Sequence, residues 1–389
     1  MDDIKLLNCF EVLANEAKDL YIRKDVPVIE HPISPLEFHR KWVSPNLPVV
    51  LKGAVNHWPA IKKWTNDYLR SAIGDKVVQV AATPNGYADA IADGYFVMPE
   101  ERKMAVKDFL SVLEEPESLP GTILYVQSQN GNLSEDWVDL VKDIESDLPW
   151  ATEAFGELPS AGNFWMGDER AVTSMHRDPF ENIYCVIRGH KDFILHPPTD
   201  LPWLPYATLP AARYQIVKKN SSSSKFEIVP LTSGCESKTT VVKEQLEDQE
   251  KNYGKPCNGS GLNELSVEDN MGRLNNLRMD EEHSVEGGNC ESFDQVGSSH
   301  VPWICIDPEK PDLMAYPLYS NATQVKVRVH EGDVLFLPAH WFHHVKQSHQ
   351  CIAVNFWYDV RFDHRYAYQA FITALLQNSG LNTGCPPLC

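Results

Sequence analysis

No two of the chain's nine cysteines are spaced as C-x-x-C, which argues against a zinc ribbon. Their odd number and their scatter from Cys9 to Cys389 argue against a disulfide framework. No stretch approaches the ~18 consecutive apolar residues of a membrane-spanning helix. The opening Met1-Asp2-Asp3-Ile4-Lys5 is acidic and polar where a secretory signal would be basic and then apolar. Basic charge is also scarce: 35 Lys+Arg stand against 54 Asp+Glu, a formal net charge of −19. The field that nonspecific nucleic-acid or anionic-membrane binding requires is missing, so a polypeptide partner is expected, with no direct nucleic acid and no membrane. These absences predict a soluble protein of a reducing compartment, cytoplasm or nucleus. What is present suffices for a packed interior, since 43% of the 389 residues are hydrophobic and 10% aromatic. That length fits two domains or one large β or mixed enzyme.

The texture changes along the chain. Residues 1–121 read as helices with short strands between them. Ser34-Pro35-Leu36-Glu37 is a capping box with proline at the first helical position, Pro48-Val-Val-Leu51 and Val77 to Ala81 are strand signals, and Val106 to Leu113 is an amphipathic helix. From Thr122 short apolar runs take over, at 123–127, 163–166, 182–187, 192–195, 324–329, 333–337 and 351–357, separated by Gly, Pro and polar turns. Such runs predict a mainly β fold, a sandwich or jelly-roll barrel, with its core in 122–230 and 299–362. In 363–389, apolar residues at 368, 371, 372, 375 and 376 predict a helix before the tail. That helix suits either the core or a homodimer contact with a second copy.

Residues 231–298 are foreign to this pattern. They hold two aromatics, Tyr253 and Phe293, with 14 acidic and 6 basic residues, a net of −8 that leaves −11 for the rest of the chain. So little apolar surface cannot offset the ordering entropy, and a disordered acidic insertion in a loop is expected.

Histidines stand beside other polar groups in three places: His176-Arg177-Asp178, His190 and His196, and the cluster His340, His343, His344, His349. Any one of them alone reads as a structural or surface residue. In His176-Arg177-Asp178, however, imidazole and carboxylate are two residues apart, so at a strand end both point to one side and Arg177 to the other. They make two thirds of a facial triad. A third donor is expected from the segment Glu331 to Val345, where a Gly-Asp turn feeds an apolar run ending at Pro338 and histidines emerge among aromatics. A 2-His-1-carboxylate set leaves open positions on a metal, the arrangement of non-haem Fe(II) oxygenases. Zinc hydrolysis with the same donors is the chemical alternative. An oxygenase needs in addition a cationic or hydroxyl-lined slot for the far carboxylate of 2-oxoglutarate.

Taken together, His176-x-Asp178, Lys191 in Gly189-His190-Lys191, and Gly332-Asp-x-Leu-x-x-Pro338-x-x-Trp341-x-His343-x-Val345 followed by Asn355-Phe-Trp357 resemble the Jumonji-C (JmjC) domain of Fe(II)/2-oxoglutarate-dependent oxygenases. The likeness covers the whole chain except 231–298. Pro48-Val-Val, Trp58-Pro-Ala, Trp64, Tyr68-Leu69 and Phe109 resemble the small hydroxylase branch. Pro84-x-Gly-Tyr-Ala-Asp89, Leu124-Tyr-Val-Gln127, Asn163-Phe-Trp165, Glu181-Asn-x-Tyr-Cys185 and His343-His-Val-x-Gln-Ser348 resemble its lysyl hydroxylases.

The resemblance implies a double-stranded β-helix, a jelly-roll or cupin-like barrel, with a helical N-terminal surround and a C-terminal helix. It implies Fe(II) held by His176, Asp178 and His343, with 2-oxoglutarate and O2 as co-substrates. Lys191 would pair with the C5 carboxylate, helped by the hydroxyls of Tyr125 and Thr173. Asn182 and Asn355 would line the metal-side end, and Gln127 and Trp357 would be pocket walls. Phe180 departs from the pattern, standing where a close relative has tyrosine, and the insertion after Tyr214 to Val217 replaces a much shorter connection. The implied reaction is (3S)-hydroxylation of a lysine in a protein such as a developmentally regulated GTP-binding protein. Its rivals are histone lysine demethylation, histone-tail endopeptidase activity and a non-catalytic binding module. The chain has no Cys/His pattern for the chromatin-reading fingers usual among the demethylases, and the intact His/Asp/His/Lys set argues against the module.

Overall fold

The computed structural model describes residues 3–30, 32–127, 131–219, 223–231 and 300–381. The expected insertion, apart from Leu231, and the tail beyond residue 381 lie outside them. Two sheets face each other. The larger has nine strands in the order Val28–Glu30, Val49–Lys52, Val334–Leu337, Phe180–Arg188, Cys351–Asp359, Ala161–Gly167, Ile123–Val126, Val77–Thr83 and Glu100–Ala105. The smaller runs Val325–His330, His190–His196, Phe342–Gln347, Val172–His176 and Tyr87–Ala88. Four strands of each, 334–337, 180–188, 351–359 and 161–167 opposite 325–330, 190–196, 342–347 and 172–176, form the double-stranded β-helix of a jelly-roll barrel. A third sheet is built on the long strand Tyr206–Lys219, which pairs with Ser223–Pro230, Tyr95–Met98 and His300–Ile304.

The central strands read as unbroken apolar runs because both of their faces are covered. Along Phe180–Arg188, Ile183, Cys185 and Ile187 join the outer core under the N-terminal helices, while Tyr184 and Val186 point into the barrel. Along Cys351–Asp359, Ile352, Val354, Phe356 and Tyr358 face out and Cys351 and Ala353 face in. The outer core is aromatic: Phe38, Trp58, Trp64, Phe109, Trp137 and Phe164 are all buried there, and the Trp137 and Phe164 rings stack 4.1 Å apart. The helix expected at Ser34 forms as Pro35–Phe38, with Ser34 Oγ accepting the Glu37 N–H at 3.2 Å, and the amphipathic helix forms as Val106–Glu114.

Some elements lack an apolar run to announce them. The polar strands Val172–His176 and Phe342–Gln347 belong to the barrel, Tyr206–Lys219 is a single long strand, and the helix Asp3–Leu20 opens the helical N-terminal part. The last helix, His364–Ser379, buries Leu376 in an apolar cluster with Leu6, Trp203 and Tyr319 and leaves Tyr368 and Phe371 66% and 60% exposed. Among the described residues all four cysteines are free and no helix is long and apolar enough to cross a membrane.

Candidate metal centre and co-substrate pocket

Strand pairing brings the histidines together. Val172–His176 runs antiparallel to Phe342–Gln347 with His176 opposite His343, and their ring centroids are 4.1 Å apart. His176 Nδ1 lies 2.8 Å from the Ser174 carbonyl and His343 Nδ1 3.0 Å from that of Trp341. A carbonyl only accepts, so Nδ1 is the donor in both rings and the Nε2 side is turned to the site, as a lone pair in the neutral tautomer. Those lone pairs face Asp178: His176 Nε2 is 3.7 Å from Oδ1 and His343 Nε2 3.6 Å from Oδ2. Arg177 points away, over the Phe342 ring, as strand alternation requires. Burial, reinforced by His176, holds His343 down to about 4, so it is neutral. Two imidazole nitrogens and a carboxylate thus converge, and their donor atoms all lie within 4.8 Å of one another. Two imidazoles and a carboxylate in this state fit a divalent metal ion. The site is also shaped from behind, since the His340 N–H binds the Asp178 carbonyl at 2.9 Å.

The pocket beside these donors is lined by Tyr125, Thr173, Asn182, Asn355 and Trp357, all expected from the sequence. Asn355 Nδ2 donates to Asn182 Oδ1 at 3.0 Å and its Oδ1 accepts Trp165 Nε1 at 2.7 Å, which fixes both amides. Two expectations differ in detail. Lys191 is not in the lining. It lies behind Tyr125, 1% exposed, with Nζ donating to Tyr125 Oη at 3.0 Å and to Gln347 Oε1 at 2.5 Å. Its ammonium is also 5.2 Å and 5.8 Å from the ring centroids of Tyr125 and Tyr184. Among the described residues no carboxylate lies within ion-pair distance of it, so a buried cation here lacks an anion. Gln127 is not among the lining side chains; its amide donates to Asp89 Oδ2 at 3.4 Å.

Tyr184, Trp165, Phe193, Leu337 and Val345 complete the lining without having been assigned a role from the sequence. The signal for two of them was strand period: Tyr184 is two residues after Asn182 and Phe193 two after Lys191, on the same inward face. Asp89 was also unassigned. Burial pushes its carboxyl up to about 6, against the lowering influence of His176, so at neutral pH it is an anion close to the metal donors. Its backbone is left-handed, φ 53°, a conformation aspartate tolerates better than most residues. Ser174 Oγ holds it by donating to its carbonyl at 2.6 Å. Among the described residues no cationic side chain lies within ion-pair distance of its carboxylate.

Comparison with known proteins agrees with this geometry. Residues 35–364 match the Cupin-like domain family. The chain is 38% identical over 366 residues to the human bifunctional peptidase and (3S)-lysyl hydroxylase JMJD7, covering 94% of each protein. It is 31% identical to JmjC domain-containing protein E of Dictyostelium discoideum, over 93% of this chain and 92% of that one. It is also 31% identical to the lysine-specific demethylase JMJ32 of Arabidopsis thaliana, over 96% and 93%. With a jelly-roll barrel, a facing His/Asp/His set inside it and relatives of this kind along nearly its whole length, the chain belongs to the cupin-like JmjC family.

Proposed function

We propose that this chain is an Fe(II)- and 2-oxoglutarate-dependent protein hydroxylase that hydroxylates a lysine side chain at C3. The observation that carries the reading is the pairing, inside one barrel, of three converging metal donors and a buried ammonium with no carboxylate beside it among the described residues. His176, Asp178 and His343 would hold the iron. Tyr125 and Thr173, with Lys191 behind Tyr125, would receive the far carboxylate of 2-oxoglutarate. A hydrolytic zinc site has no use for that cation. When bound, the metal and 2-oxoglutarate supply O2 activation and the oxidising equivalents, with succinate and CO2 as co-products.

The rest is the work of the chain's own side chains. Asn182 and Asn355, locked by each other and by Trp165, present a fixed polar edge near the metal end. Phe193, Val345, Leu337 and Trp357 give the cavity apolar walls, and Lys191 is itself buried, so its charge is little screened. Lysine as the target is supported by the likeness to the human lysyl hydroxylase and by Asp89, an anion beside His176 awaiting a cation. A free lysine ammonium would donate to it in a charge-assisted hydrogen bond. A trimethylated lysine has no such proton and prefers aromatic faces, so Asp89 favours a lysine that keeps an N–H.

The test is incubation with Fe(II), 2-oxoglutarate and a developmentally regulated GTP-binding protein, followed by mass spectrometry of the target lysine. A one-oxygen gain at C3 is expected. Loss of a methyl group, cleavage that persists without 2-oxoglutarate, or binding without turnover would each replace this reading by one of its rivals. Asp89→Asn is expected to raise KM for the lysine target by about tenfold or more, with the affinity for 2-oxoglutarate unchanged. An unchanged KM would remove Asp89 from substrate recognition.

A further inference from the structure

The strand that carries His343 carries a second histidine facing the other way. His344 is 2% exposed, and neither of its ring nitrogens has a hydrogen-bond partner. Buried polar side chains are nearly always paired, so two orphaned nitrogens on one imidazole call for a ligand. The side chains of Asp307 and Glu309 stand opposite, and one donor atom from each of the three residues lies within 4.8 Å of the others. The Asp307–Glu309 turn is already formed: Asp307 Oδ1 accepts the Glu309 N–H at 2.9 Å, and the Asp307 carbonyl accepts that of Lys310 at 3.2 Å. Lys346, two residues after His344 on the same face, holds both Glu309 oxygens, at 3.0 and 3.3 Å.

We infer that His344, Asp307 and Glu309 form a second site for a divalent transition-metal ion, separate from the His176, Asp178 and His343 set. The donor types decide the class of ion. An imidazole disfavours Mg2+ and Ca2+, while one nitrogen and two carboxylates with a water suit Zn2+. Tetrahedral donors about 2.1 Å from zinc sit roughly 3.4 Å apart, so the three side chains must close by about 1 Å. The exposed Glu309 can make that movement while one of its oxygens stays on Lys346. The ion would tie the segment after strand His300–Ile304 to strand Phe342–Gln347, and so brace from outside the strand that positions His343 within.

The inference does not depend on the proposed reaction, and metal counting tests it. The full chain, stripped with a chelator, is titrated with Zn2+ and its tightly bound equivalents are measured by elemental mass spectrometry after gel filtration. Two equivalents are expected for the wild type, and one each for His343→Ala and Glu309→Gln. The double variant is expected to bind none. Asp307→Asn keeps an oxygen for the Glu309 N–H and should also lose one equivalent, or weaken it at least tenfold. Circular dichroism checks that each variant is folded, and Glu309, being exposed, is the substitution least able to disturb the fold. A count of bound equivalents that neither Asp307→Asn nor Glu309→Gln lowers would overturn the site.

Discussion

Glu181 shows how a single buried carboxyl couples the barrel to pH. It is 5% exposed, and its Oε2 accepts the Ala339 N–H at 3.1 Å, in the turn that leads to His343. Burial outweighs that hydrogen bond and the attraction of Arg365, and pushes the carboxyl up to about 7. An acid whose folded value lies above its unfolded value of ~4.3 binds its proton more tightly in the fold. The stability it contributes is therefore fully present below pH ~4.3 and is lost as pH rises to about 7, by up to about 3 kcal/mol. Glu181→Gln keeps an oxygen for Ala339 and removes the ionisation. Its urea midpoint is expected to fall less between pH 5 and 8 than that of the wild type, with the variant the more stable above pH 7. Parallel profiles would place the pH dependence elsewhere. Glu181 stands inside a motif that the sequence displays, yet nothing in the sequence says that its side chain is dry. Lys191 is the contrasting case: its place after Gly189-His190 marks it as a co-substrate residue, but not that Tyr125 stands between it and the cavity.

At the scale of elements, the turn from Thr83 to Asp89 links local sequence to the site. Thr83 Oγ accepts the Gly86 N–H at 2.9 Å, Asn85 Oδ1 accepts that of Tyr87 at 3.1 Å, and the Gly86 carbonyl accepts the Val172 N–H at 2.9 Å. Tyr87–Ala88 can then lie parallel to Val172–His176, which delivers Asp89 beside His176. Gly86 has φ 85°, and a Cβ there would come within 1.8 Å of the Arg170 carbonyl oxygen. Gly86→Ala should cost about 1–3 kcal/mol in stability. If Asp89 receives the lysine, the substitution should also raise KM for the lysine target, with metal affinity retained. A stability loss with KM unchanged would separate the turn from substrate binding. Elements of this kind are what the sequence conceals. The strands buried on both faces, such as 180–188 and 351–359, show as apolar runs. Val172–His176 and Phe342–Gln347 spend their inward positions on donors and pocket groups, so hydrophobic pattern passes over them although the motif residues they carry stand out. The helix Asp3–Leu20 does have its apolar residues Leu6, Phe10, Ala14 and Ala17 at helical spacing, but no chemical motif draws attention to it.

At the scale of the molecule, the 389 residues and the charge of −19 are not spread evenly over the chain that builds the barrel. The described chain stops after Leu231 and resumes at His300, and both ends lie along the one strand Tyr206–Lys219. Pro230 pairs with Ala212, the Leu231 N–H binds the Ala211 carbonyl at 2.9 Å, and His300 pairs with Pro210. Because the two ends flank consecutive positions of one strand, a short Gly/Ser bridge can replace residues 233–298 without moving either pairing partner. Closing a shorter loop costs less entropy, by about 2 kcal/mol for a bridge of a few residues, so the thermal midpoint is expected to hold or rise by a few degrees. The deletion removes a net −8 and leaves −11 on the remainder. Every residue assigned here to metal, co-substrate or lysine lies in that remainder. Hydroxylation should therefore persist with kcat unchanged, and KM for a basic target should keep its dependence on ionic strength, because attraction falls off within a Debye length of the charges that face the cleft. A several-fold fall in kcat, or a flattened salt dependence, would show instead that residues 233–298 take part in substrate capture.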